Sequence, residues 1–476
     1  MNNTIKWSQV VAICLLLISC SSKKTVNNTN ASQHSSSKTN KPNVIIILAD
    51  DAGYIDFGFM GSEDLKTPNI DKLAEGGVVF TDAHVSSTVC APSRAGLMTG
   101  KYQQRFGFEA NGTGKFGLSD DVKTMADMMK TNGYKTYALG KWHLGSAVSD
   151  QPNQRGFDDF YGFLAGSRSY FEIKNPSEDK MLQHNGRNVE HAGYMTDILG
   201  DEAVKYAEQS KDEPFFMYLA FNAVHTPMEA KTEDLERFKN HPRQELAAMT
   251  WSLDENVGKL IHKLEDLGIR DNTLIYFLSD NGGSPENTSK NGPLKGFKGN
   301  EFEGGHRVPF VVSWPAKIKG GVKFNGLSSS LDIFPTSLAA GGITKPTGLL
   351  LDGANLLPFL MDKKTGVPHH MLFWRKLEES SARIGDQKLI SLERYGSVMY
   401  NLKNDLGETK DISKTNKKIF DEIMSAYKNW ESKMMPPLWD EGKDWMPFTW
   451  NLTKTLMQNK PIKYRTLHEQ KRKEKK

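Results

Sequence analysis

Cysteine is scarce in this chain, with three in 476 residues. Two of them, Cys14 and Cys20, fall within the first twenty positions, so Cys90 stands alone in the body, where a disulfide would need two. Long hydrophobic runs are also missing. The apolar stretch VVAICLLLIS, residues 10–19, falls short of the ~20 residues a membrane-spanning helix requires. Charge of one sign is not in excess: 61 Lys and Arg against 57 Asp and Glu leave +4, which is too weak to argue for a nucleic-acid partner. There is no internal repeat, and the histidines form no zinc-ligand pattern. What is present, 38% hydrophobic and 25% charged residues with 10% aromatics, suits a globular chain able to bury a large core. The length allows two or three domains, or one large α/β domain with an appendage.

The N-terminus has a texture of its own. Lys6 precedes the short apolar run, and LISC, residues 17–20, ends in a small residue before cysteine. This pattern resembles a bacterial lipoprotein signal, which implies cleavage after residue 19 and a lipid anchor on Cys20. Residues 20–42 are rich in Ser, Asn and Lys with almost nothing apolar, as expected of a flexible tether. The closing EQKRKEKK is expected to be a solvated basic tail. With Cys14 removed and Cys20 lipidated, Cys90 is either buried and inert or put to use.

In the body, NVIIILADD, residues 43–51, predicts a buried strand of a parallel sheet that ends in two carboxylates. Helical and strand patterns then alternate: TPNIDKLAEGG, VVFTDAHV, DVKTMADMMKTNG, YKTYALG, MTDILGDEAVKYAEQS, PFFMYLAFNAVH, a long helix over about residues 244–267, and NTLIYFLSDNGG. Such alternation predicts a mostly parallel sheet covered by helices on both faces. After the helical SSLDIFPTSLAAGG the pattern changes to short strands in HHMLFWR, SARIGDQKLISL and SVMYNLKND, followed by one amphipathic helix in KKIFDEIMSAYKNWESKMM. The expected organisation is a large α/β part over 43–350 and a small α+β part over 351–476.

Polar groups collect where strands end. Asp50 and Asp51 follow one strand and Asp280 and Asn281 another, and oxygen donors of this kind suit a hard cation such as Ca²⁺ or Mg²⁺. Cys90, in SSTVCAPSRAGLMTG, opens a helical pattern with Pro92 early in it, so the thiol faces the positive end of a helix near Arg94, where an anion is favoured. A small buried hydrophobe is the competing role for Cys90. Lys141 and His143 in LGKWHLG, His225 in FNAVHTP, and Lys298 and Arg307 in GFKGNEFEGGHRVPF complete the set. Arg105, Phe108, Glu109, Arg168 and Tyr170 are placed either to line a sugar pocket or to pack loops.

Together these segments resemble the type I, formylglycine-dependent sulfatases of the alkaline phosphatase superfamily. CAPSRAGLMTG is similar to that family's C-x-P-S-R-x-x-x-x-T-G motif and GKWHLG to its second one. LADDAGY, HTP, SDNGG and KGNEFEGGHRVP follow the remaining site segments in order, over about residues 43–345. The resemblance implies an alkaline-phosphatase-like fold in which Cys90 is oxidised to formylglycine (3-oxoalanine) by a formylglycine-generating or sulfatase-maturating enzyme. It implies one Ca²⁺ held by Asp50, Asp51, Asp280 and Asn281, with the modified Cys90 reaching it, and Arg94, Lys141 and Lys298 around the sulfate. His143 and His225 would move protons, the first as base and the second, with Lys298, as donor to the leaving group. A lipid-anchored bacterial enzyme of this kind, periplasmic or surface-facing on the outer membrane, is expected to act on a sulfated glycan such as carrageenan, ulvan or a glycosaminoglycan. The alternatives are a phosphonate or phosphoester hydrolase of the same superfamily and a non-catalytic lipoprotein that binds anionic glycans.

Overall fold

The run NVIIILA forms β1 (Asn43–Ala49), in which every residue is buried. Burial on both faces is what a continuous β-branched run at the centre of a parallel sheet requires. In this computed structural model residues 41–112 and 116–462 are described, and they belong to one compact unit. The expected signal segment with Cys14, the lipidation site Cys20, most of the tether and the basic tail lie outside the described residues.

The strands that follow β1 are β2 (Val78–Phe80), β3 (Lys135–Lys141), β4 (Asp159–Phe163), β5 (Phe215–Ala220), β6 (Thr273–Ser279), β7 (Phe310–Ser313) and β8 (Val322–Phe324). They order as β8-β2-β7-β6-β1-β5-β3-β4, extended beyond β4 by a short hairpin of Gln183–His184 and Arg187–Asn188. Strands β6, β1, β5, β3 and β4 run parallel, and β7 is antiparallel to β6 and β2. Register sets the site: Ala49 pairs with Ser279 and Gly140 with Ala220, so the loops after β1, β6, β3 and β5 leave the sheet at one edge. In open α/β sheets this carboxyl edge is where ligands bind.

Alternate side chains of β1 feed two cores. Val44, Ile46 and Leu48 pack with Met98 of α2 (Cys90–Thr99), Met125 and Met129 of α3 (Met125–Thr131) and Phe334 of a later helix, Ile333–Ala340. Ile45, Ile47 and Ala49 pack on the other face with Leu199 of α4 (Met195–Gln209) and Leu253 and Val257 of α5 (Gln244–Asp266). Thr124 begins α3 with a reciprocal capping box to Asp127, which supplies two otherwise orphaned helix-end donors with partners.

The C-terminal part differs from expectation in two respects. SARIGDQKLISL is not one strand but two, joined at Gly385 and Asp386, so the antiparallel sheet has four strands: β9 (Met371–Lys376), β10 (Glu379–Ile384), β11 (Gln387–Leu392) and β12 (Gly396–Asn401). It also carries two helices rather than one. α6 (Lys417–Glu431) packs Ile423, Tyr427 and Trp430 on one face, and α7 (Trp445–Met457) packs Leu456 and Met457 with Ile390 and Tyr400 on the other. No described helix is long and apolar enough to cross a membrane.

Candidate active site

The sheet edge brings Asp50, Asp51, Cys90, Arg94, Lys141, His143, His225, Asp280, Asn281 and Lys298 into one cluster, which Arg307 does not join. Cys90 is the first residue of α2, preceded by the extended Val89, which offers no side-chain cap. Its thiol lies 3.9 Å from Asp50 Oδ1 and 3.9 Å from Asp51 Oδ1. Burial pushes the thiol up to about 12 despite the nearby Lys141 and Lys298, so at neutral pH it is a poor nucleophile as it stands.

Each carboxylate is met by a cation. Lys141 Nζ donates to Asp50 Oδ2 at 2.6 Å, and Lys298 Nζ to Asp51 Oδ2 at 2.8 Å. Arg94, wholly buried, donates through Nε and Nη2 to Asp280 Oδ2 at 2.9 and 2.7 Å and through Nη1 to the Lys141 carbonyl at 3.0 Å. Burial alone raises the Asp50 carboxyl, but Lys141, His225, Arg94 and Lys298 outweigh it and hold the group well below the usual range. Asp280 goes the other way: burial, then the neighbouring Asp50, pushes it up to about 6 despite Arg94.

Asp51 and His143 hold left-handed backbone, at φ 61° and 58°, which is uncommon for residues other than glycine and clusters at functional sites. Both turn away from the strand direction immediately beyond β1 and β3. Asp51 is held there by Asn287 and Ser289, whose side chains donate to its carbonyl at 3.1 and 3.0 Å. The resemblance assigned no role to Asn287 or Ser289. No local sequence pattern marks them, because their partner is a backbone oxygen more than 230 positions away.

The two site histidines are half-buried, and burial lowers both, disfavouring their protonated forms. Burial first, then Lys141 and Arg94, keeps His143 well below its ordinary value, and its Nδ1 is buried without a hydrogen-bond partner. His225 Nδ1 lies 2.6 Å from the Thr226 carbonyl, so Nδ1 carries the hydrogen and Nε2 is left to accept from Lys298 Nζ at 3.3 Å. Tyr170 fixes this loop by donating to the carbonyls of Asn222 and His225.

The donor set fits a hard divalent cation. One oxygen or ring nitrogen from each of Asp50, Asp51 and His225, with the Cys90 sulfur, lies within 4.8 Å of the others. Asn281 donates to Asp51 Oδ1 at 2.8 Å, while its own Oδ1 is buried and unpartnered. An orphaned carbonyl oxygen among carboxylates is what an oxygen-seeking cation would satisfy. A second cluster, His84, Glu303 and His306, is already filled with positive charge: Lys388 Nζ is 3.0 Å from both Glu303 Oε1 and His306 Nε2. Arg307 belongs to that network, pairing with Glu303 at 3.1 Å and Asp82 at 3.3 Å.

Most of the residues that were open between a sugar pocket and loop packing turn out to pack. Arg105 pairs with Asp352 at 2.6 Å, Glu109 with Arg375 at 2.5 Å, and Phe108 is buried edge-on against Trp439.

Residues 42–343 match the family model described as Sulfatase. The chain is 34% identical over 390 residues to the uncharacterized sulfatase YdeN of Escherichia coli strain K12, covering 70% of this chain and 68% of that protein. It is 31% identical over 378 residues to the human N-acetylgalactosamine-6-sulfatase, covering 73% and 71% respectively. Among solved structures it is similar to Ps i-CgsB in complex with k-i-k-neocarrahexaose, with a TM-score of 0.80 at 36% identity over 89% of this chain and 100% of that one. It is also similar to the PsFucS1 sulfatase from Pseudoalteromonas sp., with a TM-score of 0.72 at 26% identity over 83% and 90%.

Proposed function

Because this chain belongs to the sulfatase family and is a sulfuric ester hydrolase, we propose that it removes sulfate from sulfated oligosaccharides or polysaccharides through Cys90 converted to formylglycine. One observation carries this: the only cysteine among the described residues heads a helix and faces a ring of carboxylates, lysines and histidines at the strand ends. The glycan substrate is supported by two relatives, one an N-acetylgalactosamine-6-sulfatase and one crystallised with a neocarrahexaose.

Formylglycine supplies a hydrated aldehyde with two hydroxyls, one to attack sulfur and a second through which sulfate is later expelled. Ca²⁺, held by Asp50, Asp51, Asp280 and Asn281 with the modified Cys90, would supply fixed positive charge for the sulfate oxygens. The chain's own residues divide the remaining work. Lys141 and Lys298 add positive charge beside the nucleophile, and Arg94 orients Asp280, which would take the proton of the attacking hydroxyl. Lys298 donates to His225 Nε2, and the pair would supply the proton of the departing sugar oxygen, Lys298 passing its proton to Nε2 and the imidazole handing it on. His143, neutral and with an unpartnered ring nitrogen, is the base for the second hydroxyl.

Maturation requires a formylglycine-generating or sulfatase-maturating enzyme, and Cys20 would carry the lipid that anchors this exported bacterial protein to the outer membrane. Ion chromatography of matched sulfate and phosphate monoesters tests the reaction class. Sulfate release faster than phosphate release is expected, and the reverse order would assign the site to phosphoryl transfer.

A further inference from the structure

A cleft of about 340 Å³ opens beside the reaction centre, between the Lys298 loop, the head of α2 and α7. Val89, next to the nucleophile, and Lys298, which bonds Asp51 and His225, form its inner wall. Trp445, Phe448 and Leu452 of α7 form the outer wall, with Glu286 and Glu441 at the sides.

α7 is fixed rather than loosely apposed. Thr453 Oγ1 donates to Glu379 Oε2 at 2.6 Å, Trp450 Nε1 donates to the Glu393 carbonyl at 3.1 Å, and Leu456 and Met457 lie in the core of the C-terminal sheet. Trp445, at the head of this anchored helix, is nevertheless 42% exposed, with its ring set edge-on to Phe448 at 5.5 Å. A large flat apolar face held at the rim of a polar cleft is a platform for the C–H face of a pyranose.

The charges of the cleft narrow the occupant. Lys298 is the only cationic side chain among its described lining residues, and it is already committed to Asp51. Glu441 is 3.5 Å from Lys376 Nζ, which is not itself part of the lining. Among the described lining residues a second sulfate or a carboxylate on the bound sugar would meet two glutamates and no uncommitted cation, and an anion desolvated without a partner is costly.

We propose that this cleft is the subsite for the sugar next to the sulfated residue and that it takes an uncharged pyranose, stacked on Trp445. The inference rests on the sulfatase reading and adds the substrate class: glycans in which the hydrolysed sulfate neighbours a neutral sugar, rather than chains alternating with uronate.

The test uses matured wild type, Trp445→Ala and Trp445→Phe on three probes: an aryl sulfate, sulfated galactan tetrasaccharides alternating with uncharged anhydrogalactose, and chondroitin sulfate tetrasaccharides alternating with glucuronate. Sulfate release is read as kcat/KM. The wild type should favour the galactan probes over the uronate probes by about tenfold or more, the scale of one well-made contact. Trp445→Ala should lower kcat/KM on the galactan probes by about tenfold while leaving the aryl sulfate within about twofold, and Trp445→Phe should restore most of the loss. Equal or better use of the uronate probes, or a Trp445→Ala effect that is absent or the same on all probes, overturns the subsite. No sulfate release from any probe would instead overturn the sulfatase reading beneath it.

Discussion

The Cys90 side chain is 1% exposed, and burial holds its thiol un-ionised at neutral pH. Those two facts make the unmodified residue a poor nucleophile in a site otherwise equipped for one, which the proposed conversion to an aldehyde would resolve. Serine in its place could accept sulfate but has no second hydroxyl through which to release it. Cys90→Ser is therefore expected to fold and bind substrate while losing multiple turnover, and steady-state release near the parental rate would exclude the proposed mechanism. At this scale the sequence pointed to residues that the fold brings together: Cys90, Arg94, Lys141, His143, His225, Lys298 and the four metal-type residues each lie in a short motif. Asn287, Ser289 and Trp445 do not, because they act on backbone or cleft shape across long sequence distances.

Among elements, β3 shows how tightly the site depends on local backbone. Gly140 has φ 91°, and a Cβ there would fall 2.1 Å from the Ala220 carbonyl of the paired strand β5. Only glycine lets β3 stay paired while the chain turns to deliver Lys141 and His143. Gly140→Ala is expected to cost about 3 kcal/mol or more, through backbone strain and a broken strand pair, measurable by urea unfolding. A loss within about 0.5 kcal/mol would show that the strand can move. Hydrophobic periodicity revealed the parallel strands and long helices because burial on both faces leaves unbroken apolar runs such as IIIL and LIYFL. It failed at the hairpin in SARIGDQKLISL, where the turn at Gly385 and Asp386 lies within a stretch that otherwise reads as continuous. It also left α7 without an assignment, since GKDWMPFTWNLTKTLM carries Pro447 in its first turn and mixes exposed and buried aromatics.

Across the whole molecule, the catalytic part and the C-terminal sheet meet through buried carboxyls. Glu301, three residues after Lys298, accepts from Ser381 Oγ of β10 at 3.1 Å. Burial pushes Glu301 up to about 8 and Glu379 to about 7, both above the 4.5 of an unstrained glutamate. Between those values the folded chain retains protons that the unfolded chain has lost, so these groups make stability fall as pH rises from about 4.5 to 8. Glu301→Gln is expected to flatten that fall when unfolding free energy is followed against pH, and an unchanged slope would remove Glu301 from the linkage. The joint between the parts also creates the cleft beneath Trp445, so substrate choice and assembly share one interface. The proposed mechanism needs a nucleophile that would exist only once Cys90 is remade, and peptide mass spectrometry of protein expressed with a maturation system tests that most directly. The expected result is a Cys90-containing peptide whose mass has fallen by the difference between thiol and aldehyde; active protein carrying only the intact thiol at Cys90 would contradict the mechanism.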